Sequence, residues 1–189
     1  MRMILTGPPG AGKGTQAQHL SESLQLPHIS TGDLFRHHIA EGTELGLTAK
    51  SFLDTGELVP DVVTIGMVTD RLASNDTAAG FILDGFPRTV DQAIALDAAL
   101  REQSSQIDVV LNFSIADDVV VARMLDRGRA DDLEDVIRRR LHIYHSDTRP
   151  LLDYYSSLLV SVNADGQIDH VYDQAISALS QRGSALPII

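Results

Sequence analysis

Short apolar runs alternate along the chain with longer stretches in which apolar positions recur every three or four residues. Residues 3–6, 81–84, 109–113 and 158–162 form runs of four or five residues flanked by polar or glycine positions. Runs of that length read as strands buried on both faces. Residues 27–30 form a weaker fifth run. Between them, Ile65, Val68 and Leu72 mark one helical face, as do Val90, Ala93, Leu96 and Leu100. Leu133, Ile137, Leu141 and Tyr144 mark another, and Ile168, Val171, Ala175 and Leu179 a fourth. Apolar strands joined by helical crossovers predict a parallel sheet covered on both sides. The expected fold class is therefore α/β, a doubly wound parallel sheet of five strands.

Two stretches lie between strands without supplying one. Residues 30–60 hold two short helical patterns separated by Glu41-Gly42-Thr43, more chain than one crossover needs, which predicts a helical insertion at 30–59. Arg127-Gly128-Arg129-Ala130-Asp131-Asp132 is a polar segment between two helices, a small mobile loop spanning 126–132. Gly183 is a candidate C-cap, with residues 184–189 a loosely held tail. At 189 residues, with 43% hydrophobic and 22% charged positions, the chain is expected to be one ordered domain, 1–189.

Charge and cysteine content narrow the function classes. A net charge of -11 repels nucleic acid and anionic membranes, so neither is an expected partner. The absence of cysteine removes disulfides, thiolate zinc sites and cysteine nucleophiles, and points to a reducing compartment. No apolar run approaches 18 residues and the first is too short for a signal-peptide core, so a cytoplasmic location is expected. A monomer is expected. Of the 15 basic residues only Lys13 and Lys50 are lysines.

The strongest chemical signal follows the first strand: Gly7-Pro8-Pro9-Gly10-Ala11-Gly12-Lys13-Gly14-Thr15, and then a helical segment. Strand, glycine-rich loop, lysine and helix is the context of a P-loop. The glycines let successive amides turn toward phosphate oxygens, the helix sets its positive end on the same anion, and Lys13 adds a full charge. Gly14 stands where many P-loops carry a hydroxyl, which arrives one place later at Thr15. Asp84, at the end of the run Phe81-Ile82-Leu83-Asp84, is a candidate to hold Mg²⁺ through water, although a carboxylate there also caps a following turn.

Three more segments join this one: Thr31-Gly32-Asp33-Leu34-Phe35-Arg36, Asp84-Gly85-Phe86-Pro87-Arg88-Thr89, and the Arg127 to Asp132 loop. Together and in this order, across nearly the whole chain, they closely resemble the adenylate kinase family in its short-lid, zinc-free form. The resemblance implies reversible, Mg²⁺-dependent phosphoryl transfer from ATP to AMP. It implies that Gly10, Ala11, Gly12, Lys13, Gly14, Thr15 and Arg127 hold ATP phosphates, with Gly166 beside its base. It implies that Thr31, Arg36, Leu53, Glu57, Leu58, Val59, Gly85, Phe86, Pro87, Arg88, Gln92, Arg129 and Arg140 hold AMP. Lys13, Arg88, Arg123, Arg127, Arg129 and Arg140 would surround the migrating group, and the 126–132 loop would act as a lid.

Elementary chemistry supports much of this. Phosphoryl transfer asks a protein to align two nucleotides, neutralise charge and exclude water. The planar, always protonated guanidinium grips two phosphate oxygens as lysine cannot. Arg123 and Arg127, four apart on a predicted helix, share a face. Arg138 and Arg139 fit equally well as an ion-paired surface among acidic neighbours. Two residues keep two readings: Gln92 completes a capping box with Thr89 or reads an adenine edge, and Thr31 caps a helix or meets AMP. A UMP or CMP kinase is the alternative within the same class. A GTPase switch is disfavoured because neither lysine sits in an Asn-Lys-x-Asp element, and a hydrolytic motor because Gly85 follows Asp84. The seven histidines show no metal-ligand spacing.

Overall fold

The computed structural model describes residues 1–182, so the Gly183 cap and the 184–189 tail lie outside the described residues. Five strands form one parallel sheet: β1 (Arg2–Thr6), β2 (His28–Ser30), β3 (Phe81–Asp84), β4 (Val109–Ser114) and β5 (Leu159–Asn163), in the order β2-β3-β1-β4-β5. The register sets Leu5 beside Asp84 on one side and beside Leu111 on the other.

Strand alternation explains why both faces are covered. Met3 and Leu5 of β1, Ile82 of β3 and Val109, Leu111 and Phe113 of β4 share one core. That core is closed by Ala17 and Leu20 of α1 (Lys13–Leu24) and by Val171, Ala175 and Leu179 of α9 (Ile168–Arg182). Ile4, Phe81, Leu83 and Val110 point the other way. They meet Val68 and Leu72 of α4 (Asp61–Leu72) and Ala93, Leu96 and Leu100 of α5 (Val90–Glu102). Leu151 of the short helix α8 (Leu151–Tyr154) joins the same core. The predicted helical faces are thus the buried ones, except at two helix ends. Leu133 caps α7 (Glu134–Ile143) and is 59% exposed, and Ile168 opens α9 and is 51% exposed.

Residues between β2 and β3 fold as α2 (Thr31–Ala40), α3 (Glu44–Thr55) and α4. Ser30 Oγ caps α2 by accepting from the Asp33 amide, and Thr43 Oγ1 caps α3 by accepting from that of Gly46. The pair packs around a small core of its own, with Phe35, Ala49 and Val59 buried. Downstream, α6 (Asp117–Arg127) ends at Gly128 in the left-handed conformation, and the 129–133 segment leads into α7. Helix α7, whose predicted apolar face ends at Tyr144, continues as a π-helical turn, Tyr144–Thr148.

Candidate active site

The carboxyl ends of parallel strands carry the loops that turn toward ligands in open α/β sheets. Here the loops after β1, β2 and β3 meet α6 and α7 around a cavity of about 540 Å³. Its wall includes Gly10, Gly12, Lys13, Gly14, Thr15, Arg36, Leu58, Asp84, Gly85, Pro87, Arg88, Arg123, Arg127, Arg129 and Arg140. Residues far apart in the chain, most of them named by the family resemblance, therefore share one space.

The loop after β1 owes its course to glycine. Gly10 and Gly12 lie at φ +80° and +86°, where L side chains rarely sit, and a Cβ on Gly10 would press to 2.7 Å from Met124 Cγ. No side chain caps α1, which opens directly at Lys13. Lys13 Nζ donates to Gly7 O at 2.7 Å and Pro8 O at 2.8 Å. Burial lowers its ammonium to about 8; Asp84 opposes the shift, while Arg88, Arg140 and Arg127 reinforce it.

The arginines are held in position by acceptors. Arg88 Nε donates to Gly85 O at 2.8 Å, and burial with the Arg140 charge lowers it to about 10. Arg127 makes a two-pronged pair with Asp132, at 2.9 and 2.6 Å, and Arg140 meets Asp131 at 2.7 Å. Burial opposes ionisation of Asp132, yet hydrogen bonds from Arg127 and the Arg129 amide hold its carboxyl below the usual range. Arg36 pairs with Asp33 at 2.5 Å. Carboxylates thus take up these guanidinium groups as hydrogen-bonded partners, the kind of anion a guanidinium fork also grips in phosphate. Arg123 turns elsewhere, donating to Ala164 O at 3.0 Å and Gly166 O at 3.4 Å, and so ties α6 to the loop after β5.

The remaining nominated residues lie off the cavity wall. Ala11 is packed into the core against α1, while Phe86 and Val59 are buried. Leu53 packs in the small core of α2 and α3, Glu57 pairs with Arg139, and Gly166 lies on the loop held by Arg123. Thr31 is not the cap of α2; its Oγ1 donates to Gly85 O at 3.0 Å and fastens that helix to the turn after β3. Gln92, 2% exposed, bonds Arg88 and Asp61. It reaches the amide of Arg88 rather than that of Thr89, so the capping box is offset by one residue.

Several wall residues are not among those the sequence nominates for the site. His28 approaches Asp84 Oδ2 at 3.6 Å, Ile143 ends α7, and Tyr144 and Thr148 belong to the π-helical turn that follows. Asp131 and Asp132 lay inside a recognised segment and their pairing was open to notice. Among the described residues no group of three or more His, Cys, Asp or Glu is placed to hold a metal ion. Asp84 is a single hard oxygen donor, and a Cβ on Gly14 would lie 3.6 Å from its Oδ2. Such a donor fits a cation that keeps its own waters and takes substrate oxygens, as Mg²⁺ does.

A model of the family described as adenylate kinase matches residues 5–160. The chain is 55% identical over 181 residues to an adenylate kinase of Mycolicibacterium vanbaalenii, covering 96% of this chain and all of that protein. With the same coverage it is 55% identical to an adenylate kinase of Rhodococcus erythropolis and 56% identical to one of Mycobacteroides abscessus. Sheet order, phosphate loop and arginine cluster agree with that likeness, and the chain belongs to the adenylate kinase family, kinases that transfer a phosphoryl group between ATP and AMP.

Proposed function

We propose that ATP lies with its phosphates along Gly10, Ala11, Gly12, Lys13, Gly14 and Thr15 and its base beside Gly166. AMP then enters between the 30–59 insertion and the turn from Gly85 to Gln92. The observation that carries this reading is the convergence of the glycine-rich loop, Asp84 and Arg88, Arg127, Arg129 and Arg140 on one cavity. Asp84 would hold Mg²⁺ through water, and the ion, when bound, supplies charge neutralisation between the outer phosphates.

The acceptor is the AMP phosphate, already an anion near neutral pH, so no general base is required. Arg88 has its Nε on Gly85 O, which leaves both Nη groups to grip that phosphate. Lys13 and the arginines neutralise charge on the migrating group, and alignment does the rest. The 126–132 segment serves as a short lid: Arg127 releases Asp132 and Arg140 of α7 releases Asp131, and the segment closes on phosphate, excluding water. We assign the enzyme to the cytoplasm as a monomer. Among the described residues no helix is long and apolar enough to cross a membrane. An acceptor panel of AMP, UMP, CMP and GMP with ATP and Mg²⁺ tests the reading; AMP should be used best, and preference for a pyrimidine would overturn it.

A further inference from the structure

The two ends of the Gln92 amide meet partners that leave it one orientation. Oε1 accepts from the Arg88 amide at 2.7 Å, and Nε2 donates to Asp61 Oδ1 at 2.7 Å. The other Asp61 oxygen accepts from Thr89 Oγ1 at 2.9 Å, and Thr89 Oγ1 accepts from the main-chain N–H of Gln92 at 3.2 Å. A main-chain N–H only donates and an ionised carboxylate only accepts. Turning the amide over would set NH₂ against N–H and C=O against carboxylate, leaving buried groups unpaired.

We propose that Asp61 is a positioning residue that locks the Gln92 amide and thereby sets which purine the acceptor site takes: a 6-aminopurine nucleotide rather than a 6-oxopurine one. This rests on the reading that Gln92 meets the acceptor base. With these bonds made, Oε1 keeps one lone pair and Nε2 one hydrogen, an acceptor and a donor in fixed order. Adenine offers the complement, an amino donor at C6 and an acceptor at N1. Hypoxanthine and guanine offer the inverse, a carbonyl at C6 and an N1–H. A glutamine free to rotate would serve both; a locked one opposes the second at two atoms. Without the Asp61 carboxylate only the Arg88 N–H still favours that order, because Asn at position 61 accepts or donates and so pairs with either orientation.

The test measures kcat/KM for AMP, IMP and purine riboside 5′-monophosphate, with nucleoside diphosphate followed by chromatography. Wild-type enzyme, Asp61→Asn and Gln92→Leu are compared, each checked by circular dichroism. Wild type should prefer AMP to IMP by roughly 10- to 100-fold, the discrimination of one good bidentate pair. Asp61→Asn should reduce that ratio at least about fivefold by relaxing the order. A destabilised fold alone would lower both substrates together, so an unchanged ratio in Asp61→Asn overturns the proposal. An unchanged ratio in Gln92→Leu instead defeats the base-contact reading beneath it. Should Asp61→Asn not fold, the wild type still decides. A locked amide makes IMP a poorer acceptor than purine riboside 5′-monophosphate, which presents N1 as an acceptor and nothing at C6. IMP equal or better overturns the lock.

Discussion

Lys13 is charged in water, yet the fold surrounds it with Arg88, Arg127 and Arg140 and removes much of its solvent, so its ammonium falls from 10.5 to about 8. The charged form is thus disfavoured in the folded state. Between pH 8 and 10.5 the unfolded chain binds the extra proton, so stability contributed by this group rises with pH across that window and is lowest below 8. Relative to Lys13→Met, the nucleotide-free wild type should gain on the order of 1 to 3 kcal/mol across it, discounted for partial exposure. Urea titrations of both proteins across that range check this. ATP adds anionic oxygens beside Nζ, so binding above pH 8 should take up a proton, read as a dependence of calorimetric heat on buffer ionisation enthalpy. Arg88 makes a different point at the same scale. Its Nε is committed to Gly85 O, which aims the two Nη groups as a pair. Arg88→Lys keeps the charge and loses that geometry. It should cost about 1.5 to 3 kcal/mol in kcat/KM for AMP, roughly 10- to 150-fold, in steady-state assays varying AMP.

At the scale of elements, α2 and α3 are attached through few points. Their own core buries only Phe35, Ala49 and Val59, and Thr31 and Gly56 supply contacts with the rest. Gly56 ends α3 at φ +76°, with its amide on Leu53 O and the Glu57 amide on Phe52 O. A Cβ there would lie 3.0 Å from Arg140 Cγ and 3.1 Å from Val136 O. Gly56→Ala should therefore destabilise the fold by about 1 kcal/mol and move the insertion away from α7, raising KM for AMP more than for ATP. Thermal melts and two-substrate kinetics separate these effects. The same elements show what could be read beforehand. Strands β1, β3 and β4 were legible because a strand buried on both faces is almost wholly apolar, the edge strands β2 and β5 only from weaker apolar runs, and the helical insertion because residues 30–60 are too long for a crossover. Helix α8 was not, since four residues carry no period, and the helical face ending at Tyr144 gave no sign that the chain continues to Thr148 as a π-helical turn. The phosphate loop was legible because glycine and lysine spacing is itself the chemistry. Asp61 was not, because its bond to Gln92 spans 31 residues and exists only in the folded chain.

Across the whole molecule, a net charge of -11 coexists with a cavity whose wall carries Lys13, Arg36, Arg88, Arg123, Arg127, Arg129 and Arg140. Bringing so many cations together costs free energy. Burial and its cationic neighbours Arg127 and Arg36 lower Arg129, and burial likewise lowers Arg140. Asp33, Asp131 and Asp132 offset part of that repulsion by pairing with Arg36, Arg140 and Arg127. On the proposed binding, a ligand carrying its own string of phosphates would relieve the rest, and one bearing adenosine at both ends would engage the phosphate loop and the insertion together. Two adenosines joined by five phosphates should therefore bind more tightly than ATP or AMP and, at one equal concentration, raise the melting temperature further. Each tenfold in affinity adds about 1.4 kcal/mol, which for a chain of this size is about 3 to 6 °C. Differential scanning calorimetry should show the larger shift in wild type and show it shrinking in Arg129→Ala, whose guanidinium sits on the 126–132 loop. If the joined ligand shifts the melt no further than ATP does, the phosphate loop and the insertion do not share one occupant.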